Sequence, residues 1–294
     1  MNRFVLLSAC LFLALSATPA SAQLLRSTAC HPGIHVGEAR GTVLLPQGDL
    51  FCPRVADPKE PRSFASYLRW RAPGEETTVG AIGIGDSFGI IRWGGPAAGD
   101  GFQLGVVGSV FAQFDLGTES FDLINADYII GVPLTLRLGG FSSRLRLYHQ
   151  SSHLGDEFLL RTQPERVNLA FESLELILSQ EIGALRFYGG GEYLFNREPE
   201  DLESRVAHLG AEARAGRVGG LGLVAAVDVK STEEQNWTPA WSARTGIEVG
   251  WGRDPAHPPR IWRILAEFYD GPAPYGQFYR DNVRYYGLGF QLSL

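Results

Sequence analysis

Between Phe141 and Phe171 the sequence reads FSSRLRLYHQSSHLGDEFLLRTQPERVNLAF, the densest set of reactive side chains in the chain. A serine hydroxyl becomes a useful nucleophile when a base takes its proton, and a neutral histidine can do so near neutral pH. His149 and Ser151 stand two residues apart. On a strand that spacing puts them on one face, about 6.6 Å apart at Cα. Leu145 and Leu147 share the face, while Arg144, Arg146, Tyr148 and Gln150 point the other way. A carboxylate or amide on the far imidazole nitrogen would fix the tautomer and stabilise the imidazolium. If the chain returns through a polar loop as a second strand, Gln163, Glu165, Val167, Leu169 and Phe171 share a face, and Gln163 or Glu165 supplies the third group. The expected catalytic set is Ser151 and His149 with Gln163 or Glu165. In the loop, His153, Asp156 and Glu157 could approach a divalent cation. Calcium takes six to eight oxygens, so Asp156 and Glu157 are too few alone, and a solvated loop is the plainer reading.

The elements that must hold these groups are legible from periodicity. From Arg62 onward, segments of ten or more residues alternate apolar and polar side chains, with turn residues between them. Phe102 to Asp115 and Ile124 to Arg137 are the clearest, and further segments begin near Ala184, Arg205, Gly220, Thr238, Arg260 and Asp281. With weaker ones at 62–72 and 77–93 and the two around the His/Ser stretch, the expected number is twelve. Strands of soluble sandwiches average about 5–6 residues, whereas transmembrane β-strands need about 9–11. The fold class expected is therefore all-β, an antiparallel transmembrane β-barrel with no helix between 102 and 294. Tight turns at Gly139–Gly140, 180–183 and 216–219 fall on one side, and longer loops at 152–162, 196–204, 231–237 and 270–280 on the other. Trp241 and Trp251 lie ten residues apart on one face. At a tilt near 40° this spans roughly 25 Å, the height of the apolar band between aromatic girdles. The chain closes on Tyr286, Leu288, Phe290, Leu292 and Leu294, alternating to the last residue.

The opposite face carries Arg137, Arg144, Arg146, Arg186, Glu192, Glu212, Arg214, Asp228, Lys230, Arg244, Glu248, Arg263 and Glu267. Charges of both signs there predict a lumen crossed by ion pairs rather than a wide channel. The first residues read as a cleaved signal peptide over 1–22, with a mature chain from Gln23; a lipoprotein box ending at Cys10 would leave too short an apolar core. Residues 23–61, rich in Pro and Gly, read as an irregular extension before the barrel of 62–294. Export leaves Cys30 and Cys52 as a pair, for which an oxidising compartment favours a disulfide. With 26 basic and 32 acidic residues, of which the signal removes one basic, the mature chain is near −7 (25 − 32), which argues against nucleic acid as a partner. His31, His35, His208 and His257 suggest no site. Gly189–Gly191 lies mid-strand without a following helix and is not a phosphate loop; it offers a flat surface for lipid or for a neighbouring barrel, such as a second copy in a homodimer.

Several segments carry a family resemblance: DPKEPR at 57–62, DLINADY at 122–128, RLRLYHQSSHLGDEFLLR at 144–161, ERVNLAFESLEL at 165–176, YGGGEYLF at 188–195, DVKSTEEQNW at 228–237, and the closing DGPAPYGQFY with RYYGLG. Together they resemble an uncharacterised family of bacterial outer-membrane barrels, domain of unknown function 1207. The resemblance implies the outer membrane of a Gram-negative bacterium and brings no activity. His149, Gln150 and Ser151 are also similar to the His-x-Ser segment of outer-membrane phospholipase A and of the lipid A deacylases. There the His and Ser face lipid near the outer rim, and a third polar residue follows fourteen positions after the His, which lands on Gln163. Glu165 lies one strand-step further. The chain departs from the phospholipase pattern at Ser152 and at Gln163. This likeness implies an acyl hydrolase acting on phospholipid or lipid A, with outer-membrane lipids, including lipopolysaccharide, as partners. Two other readings stand beside it: a non-catalytic structural or assembly barrel, with His149 and Ser151 as ordinary polar residues at headgroup level, and a narrow pore.

Overall fold

The computed structural model describes residues 41–96, 99–164, 166–218, 221–251 and 260–293. The signal segment with its cleavage site, Cys30, His31, His35, Glu165, His257 and Leu294 lie outside them. The alternation closes into a barrel. Thirteen strands form one antiparallel sheet, and twelve of them, β2 to β13, make the ring. β2 (Ser63–Ala72) and β3 (Glu75–Gly94) form the first hairpin, followed by β4 (Gly101–Asp115), β5 (Leu123–Leu138), β6 (Phe141–Leu154) and β7 (Leu169–Ile182). β8 (Leu185–Glu198), β9 (Arg205–Val218), β10 (Leu221–Thr232), β11 (Pro239–Trp251), β12 (Arg260–Pro272) and β13 (Asn282–Ser293) complete it. β13 pairs with β2, so the first and last barrel strands meet at the closing seam. The thirteenth strand, β1 (Thr42–Leu44), pairs with the far end of β3. Gly139 and Gly183, at φ 58° and 59°, take the left-handed conformation that the tight turns after β5 and β7 demand.

Three connections depart from the expectation of no helix between 102 and 294. The β6–β7 loop contains a short helix, α1 (Asp156–Thr162), and 3-10 turns occupy 233–235 and 276–278. All three lie in loops and none interrupts the wall. From 41 to 62 the segment before β2 is irregular apart from the short strand β1. Between Leu50 and Arg62 nearly every residue is buried, because the chain runs through the lumen before it enters the wall at Ser63. Cys52, in this segment, is disulfide-bonded.

The outer face carries the apolar side chains, among them Ile84, Phe88, Ile130, Leu147, Leu176, Leu223 and Leu288, all exposed. Exposed aromatics mark two levels. Tyr67, Tyr128, Tyr193, Trp241 and Tyr286 lie towards the long-loop end, and Trp93, Phe102, Trp262 and Phe290 towards the short-turn end. These are the girdles expected at the two membrane interfaces. Inside, the charged residues anticipated from the alternation are all turned into the lumen, where they meet the inserted segment. Arg54 is the hub, reaching Asp57 at 2.6 Å, Glu60 at 2.8 Å and Glu175 at 3.1 Å. Arg144 bridges Glu60 and Glu175 at 2.5 and 2.9 Å. Further ion pairs, such as Arg244–Glu267 and Arg263–Glu248, both 2.9 Å, fill the remaining cross-section. The walls also satisfy the inserted backbone: Glu212 accepts the Val55 N–H at 2.8 Å, and Arg244 donates to the Val55 carbonyl at 2.9 Å. A lumen packed in this way is a plugged interior, not an open channel.

Candidate functional site on the outer face

Strand parity decides which polar groups meet. On β6, Ser142, Arg144, Arg146, Tyr148, Gln150 and Ser152 are buried in the lumen, so His149 and Ser151 face outward as expected. On β7, Leu169 and Phe171 are buried inside, which reverses the parity expected for this strand. The reason lies in the connection. The helix α1 and the non-strand residues that follow it break the period, and pairing resumes only at Leu169. The outward residues of β7 are therefore Ala170, Glu172, Leu174 and Leu176. Register places Glu172 directly opposite His149, and Ala170 opposite Ser151.

Glu172 is the carboxylate that meets His149. His149 Nδ1 lies 3.2 Å from Glu172 Oε1, with both side chains partly exposed, at 43% and 33%. His149 Nε2 is not taken up by this contact, and among the described residues no hydrogen bond joins the His149 ring to Ser151. The other carboxylate oxygen, Oε2, is shielded and has no hydrogen-bond partner among the described residues. Such an orphan is uncommon in native proteins. Gln163 stands elsewhere. It is exposed and ends α1 in the left-handed conformation at φ 46°, its N–H donating to the Leu159 carbonyl. Asp156 and Glu157 occupy the first turn of α1, exposed, where carboxylates favour the positive end of the helix dipole. Among the described residues no group of three or more potential metal ligands converges. His153 packs its ring edge-on to Tyr128, 5.8 Å between centroids.

The wall beneath the site is fixed from inside. Ser152 turns inward, and its one hydroxyl proton is shared between Asp127 Oδ1 and Asn125 Oδ1, the latter at 3.0 Å. Asp127 also accepts from Lys59 of the plug at 2.5 Å and from the Gly276 N–H at 3.0 Å. Gln277 donates to the Ser152 carbonyl at 2.8 Å. Adjacent serines thus divide the work: Ser152 anchors the strand end, and Ser151 is presented outward. At the start of α1, a Cβ on Gly155 would stand 1.8 Å from the Leu123 carbonyl, so only glycine lets the loop leave the wall there.

Height and surroundings suit a lipid. Ser151 pairs with Tyr128 of the outer girdle, and Leu147 and Leu174 lead across to Tyr193 of the same girdle. A groove leads away from His149 along the outer face, past Ile130 and Gly108 to Asp86 and Phe88. It follows one row of the sheet, in which Asp86, Gly108, Ile130, His149 and Glu172 are successive partners. A Cβ on Gly108 would meet nothing nearer than the Ile129 carbonyl at 3.9 Å, so the floor is open for want of a side chain and not for lack of room.

A closed ring of twelve antiparallel strands with an apolar exterior, two aromatic girdles and a charged lumen defines an integral outer-membrane β-barrel. The chain belongs to the family described as Protein of unknown function (DUF1207), whose model matches residues 26–293. No curated protein matches it significantly. Among solved structures it is similar in fold to outer membrane phospholipase A from Escherichia coli, with a TM-score of 0.54 and 13% identity over 95% of this chain and 99% of that one. It is similar also to the calcium-bound dimer of the outer membrane phospholipase from Salmonella typhi, with a TM-score of 0.53 and 14% identity over 80% and 92% of the two chains. At this identity the likeness is one of fold.

Proposed function

We propose that this barrel is an acyl hydrolase of the outer leaflet, acting on phospholipid or lipid A, with Ser151 as nucleophile, His149 as general base and Glu172 as the group that orients the imidazole. The observation that carries the reading is the 3.2 Å contact between His149 and Glu172 on the lipid-facing side, one strand-step from an outward serine. Polar side chains turned towards lipid are costly, and a His–Glu pair beside an outward serine at the depth of the girdle is a specific arrangement. Glu172 accepts a hydrogen bond from Nδ1–H, which leaves Nε2 as the basic nitrogen. As Ser151 Oγ attacks the ester carbonyl carbon, its proton passes to Nε2. The tetrahedral adduct then expels the alcohol, which takes that proton, and an acyl-serine remains. Water entering from the rim attacks the acyl carbon by the same proton path and releases the fatty acid. The groove over Gly108 would take an acyl chain along the wall. The filled lumen disfavours the pore reading.

The test is fatty-acid release from purified phospholipid and lipid A by the refolded barrel. Ser151→Ala should lower turnover by about 10²-fold or more. Gly108→Leu, which fills the groove without touching the interior, should lower it while the folded barrel's gel migration stays unchanged. Equal turnover by Ser151→Ala and the parent would return the site to ordinary polar residues at the interface.

A further inference from the structure

Above the plug, at the long-loop end of the lumen, lies a separate cavity of about 120 Å³. Its wall is apolar, from Phe171, Leu194, Val206, Ala240 and Tyr269, and Leu202 and Tyr275 help to roof it. Its floor is the tip of the plug, Asp57 to Lys59, together with Glu192, Asp228 and Lys230 of the wall. Most of these polar groups are engaged. Asp57 is held by Arg54 at 2.6 Å. Glu192 accepts hydrogen bonds from His208 at 2.7 Å, from Ser173 at 3.0 Å and from Tyr148. Asp228 accepts the Tyr188 hydroxyl proton at 2.8 Å. The Lys59 ammonium sits on Asp127 and over the Phe111 ring.

Lys230 is different. Its side chain is about one-third exposed, and its ion-pair partner is Glu192 at 3.7 Å, beyond hydrogen-bond reach and already accepting three hydrogen bonds. Among the described residues Lys230 Nζ donates no hydrogen bond. Lys59 and Lys230 both line the cavity. An anion in the cavity would give Lys230 its acceptor. The apolar wall selects what the anion must be attached to.

We infer that this cavity binds an amphipathic monocarboxylate, a short fatty acid whose carboxylate pairs with Lys230 and whose chain lies against Phe171, Leu194 and Val206. The acidic residues near the mouth, Glu203 and Glu234, oppose anions in general, so the apolar body is needed for entry and retention. The site is on the lumen side and does not depend on hydrolysis at Ser151.

The experiment is calorimetric titration of the full-length refolded barrel, carrying Ser151→Ala so that no fatty acid arises from lipid, with hexanoate, hexanol and hexylammonium as probes. Hexanoate should bind with a Kd below about 1 mM. It should bind at least tenfold more tightly than hexylammonium. Lys230→Gln should weaken hexanoate at least tenfold, and Lys230→Arg should restore it to within about threefold; unchanged gel migration and circular dichroism would show that each variant has folded. Absence of hexanoate binding to the Lys230 protein, tighter binding of hexylammonium, or equal hexanoate affinity in Lys230→Gln would each overturn the assignment.

Discussion

Glu172 and Gln163 show how a single residue's role depends on parity. Sequence spacing favoured Gln163 or Glu165 because the return strand was read as starting directly after the loop. The structure gives Gln163 to a helix end and brings Glu172 to His149. The signal was present: once Leu174, Leu176 and Leu178 are taken as the lipid face of β7, Glu172 is the charge that stands in line with them. What hid it was α1, whose local helix resets the alternation and leaves no trace in a period-two pattern. Glu172→Gln removes the negative charge opposite Nδ1 while retaining a hydrogen-bonding group. We expect it to cut fatty-acid release at least tenfold, with Gln163→Ala within twofold of the parent. The reverse order, measured on the same lipid, would put the orienting group back on Gln163.

At the scale of elements, the strands were the easy part and the plug the hard one. Strand starts expected near Ala184, Gly220, Thr238 and Asp281 fall at Leu185, Leu221, Pro239 and Asn282, because alternation in a membrane wall is enforced on every residue. The segment before Ser63 has no such period. Its order comes from tertiary ion pairs with partners more than a hundred positions away, such as Arg54 with Glu175. The loop helix is tied down in a simpler way, by Arg161 pairing with Asp115 and Asp122, both at 2.9 Å. The Ser120 hydroxyl and then Arg161 hold the Asp122 carboxyl below its usual range. A depressed carboxyl contributes its stability above the unfolded pKa of about 3.9 and loses it as pH falls through the folded value. The helix should stay docked from neutral pH down to about 4 and loosen below it. Amide exchange at Leu159 and Gln163, corrected for the intrinsic rate, measures this. Protection lost between pH 7 and 5 would contradict the assignment.

For the whole molecule, class and closure were written in the alternation, the girdles and the turn lengths, whereas the filling of the lumen was only half visible. The charged inner face announced ion pairs, but not that many of their partners would come from residues 50–62. Arg54→Ala would leave Asp57, Glu60 and Glu175 without their shared cation. Breaking one partner of a buried pair costs about 3–5 kcal/mol, so the urea midpoint of the refolded barrel should fall clearly. If it does not, the plug is held by something other than this hub. The position of the plug also bears on how such a molecule can be built. It is continuous with β2, and β2 joins β13, the last strand to be made. Its contacts reach Asp127 on β5, Glu175 on β7 and Arg244 on β11, strands made far apart in the chain. One short segment therefore ties the staves together from within, as a hub holds the spokes of a wheel.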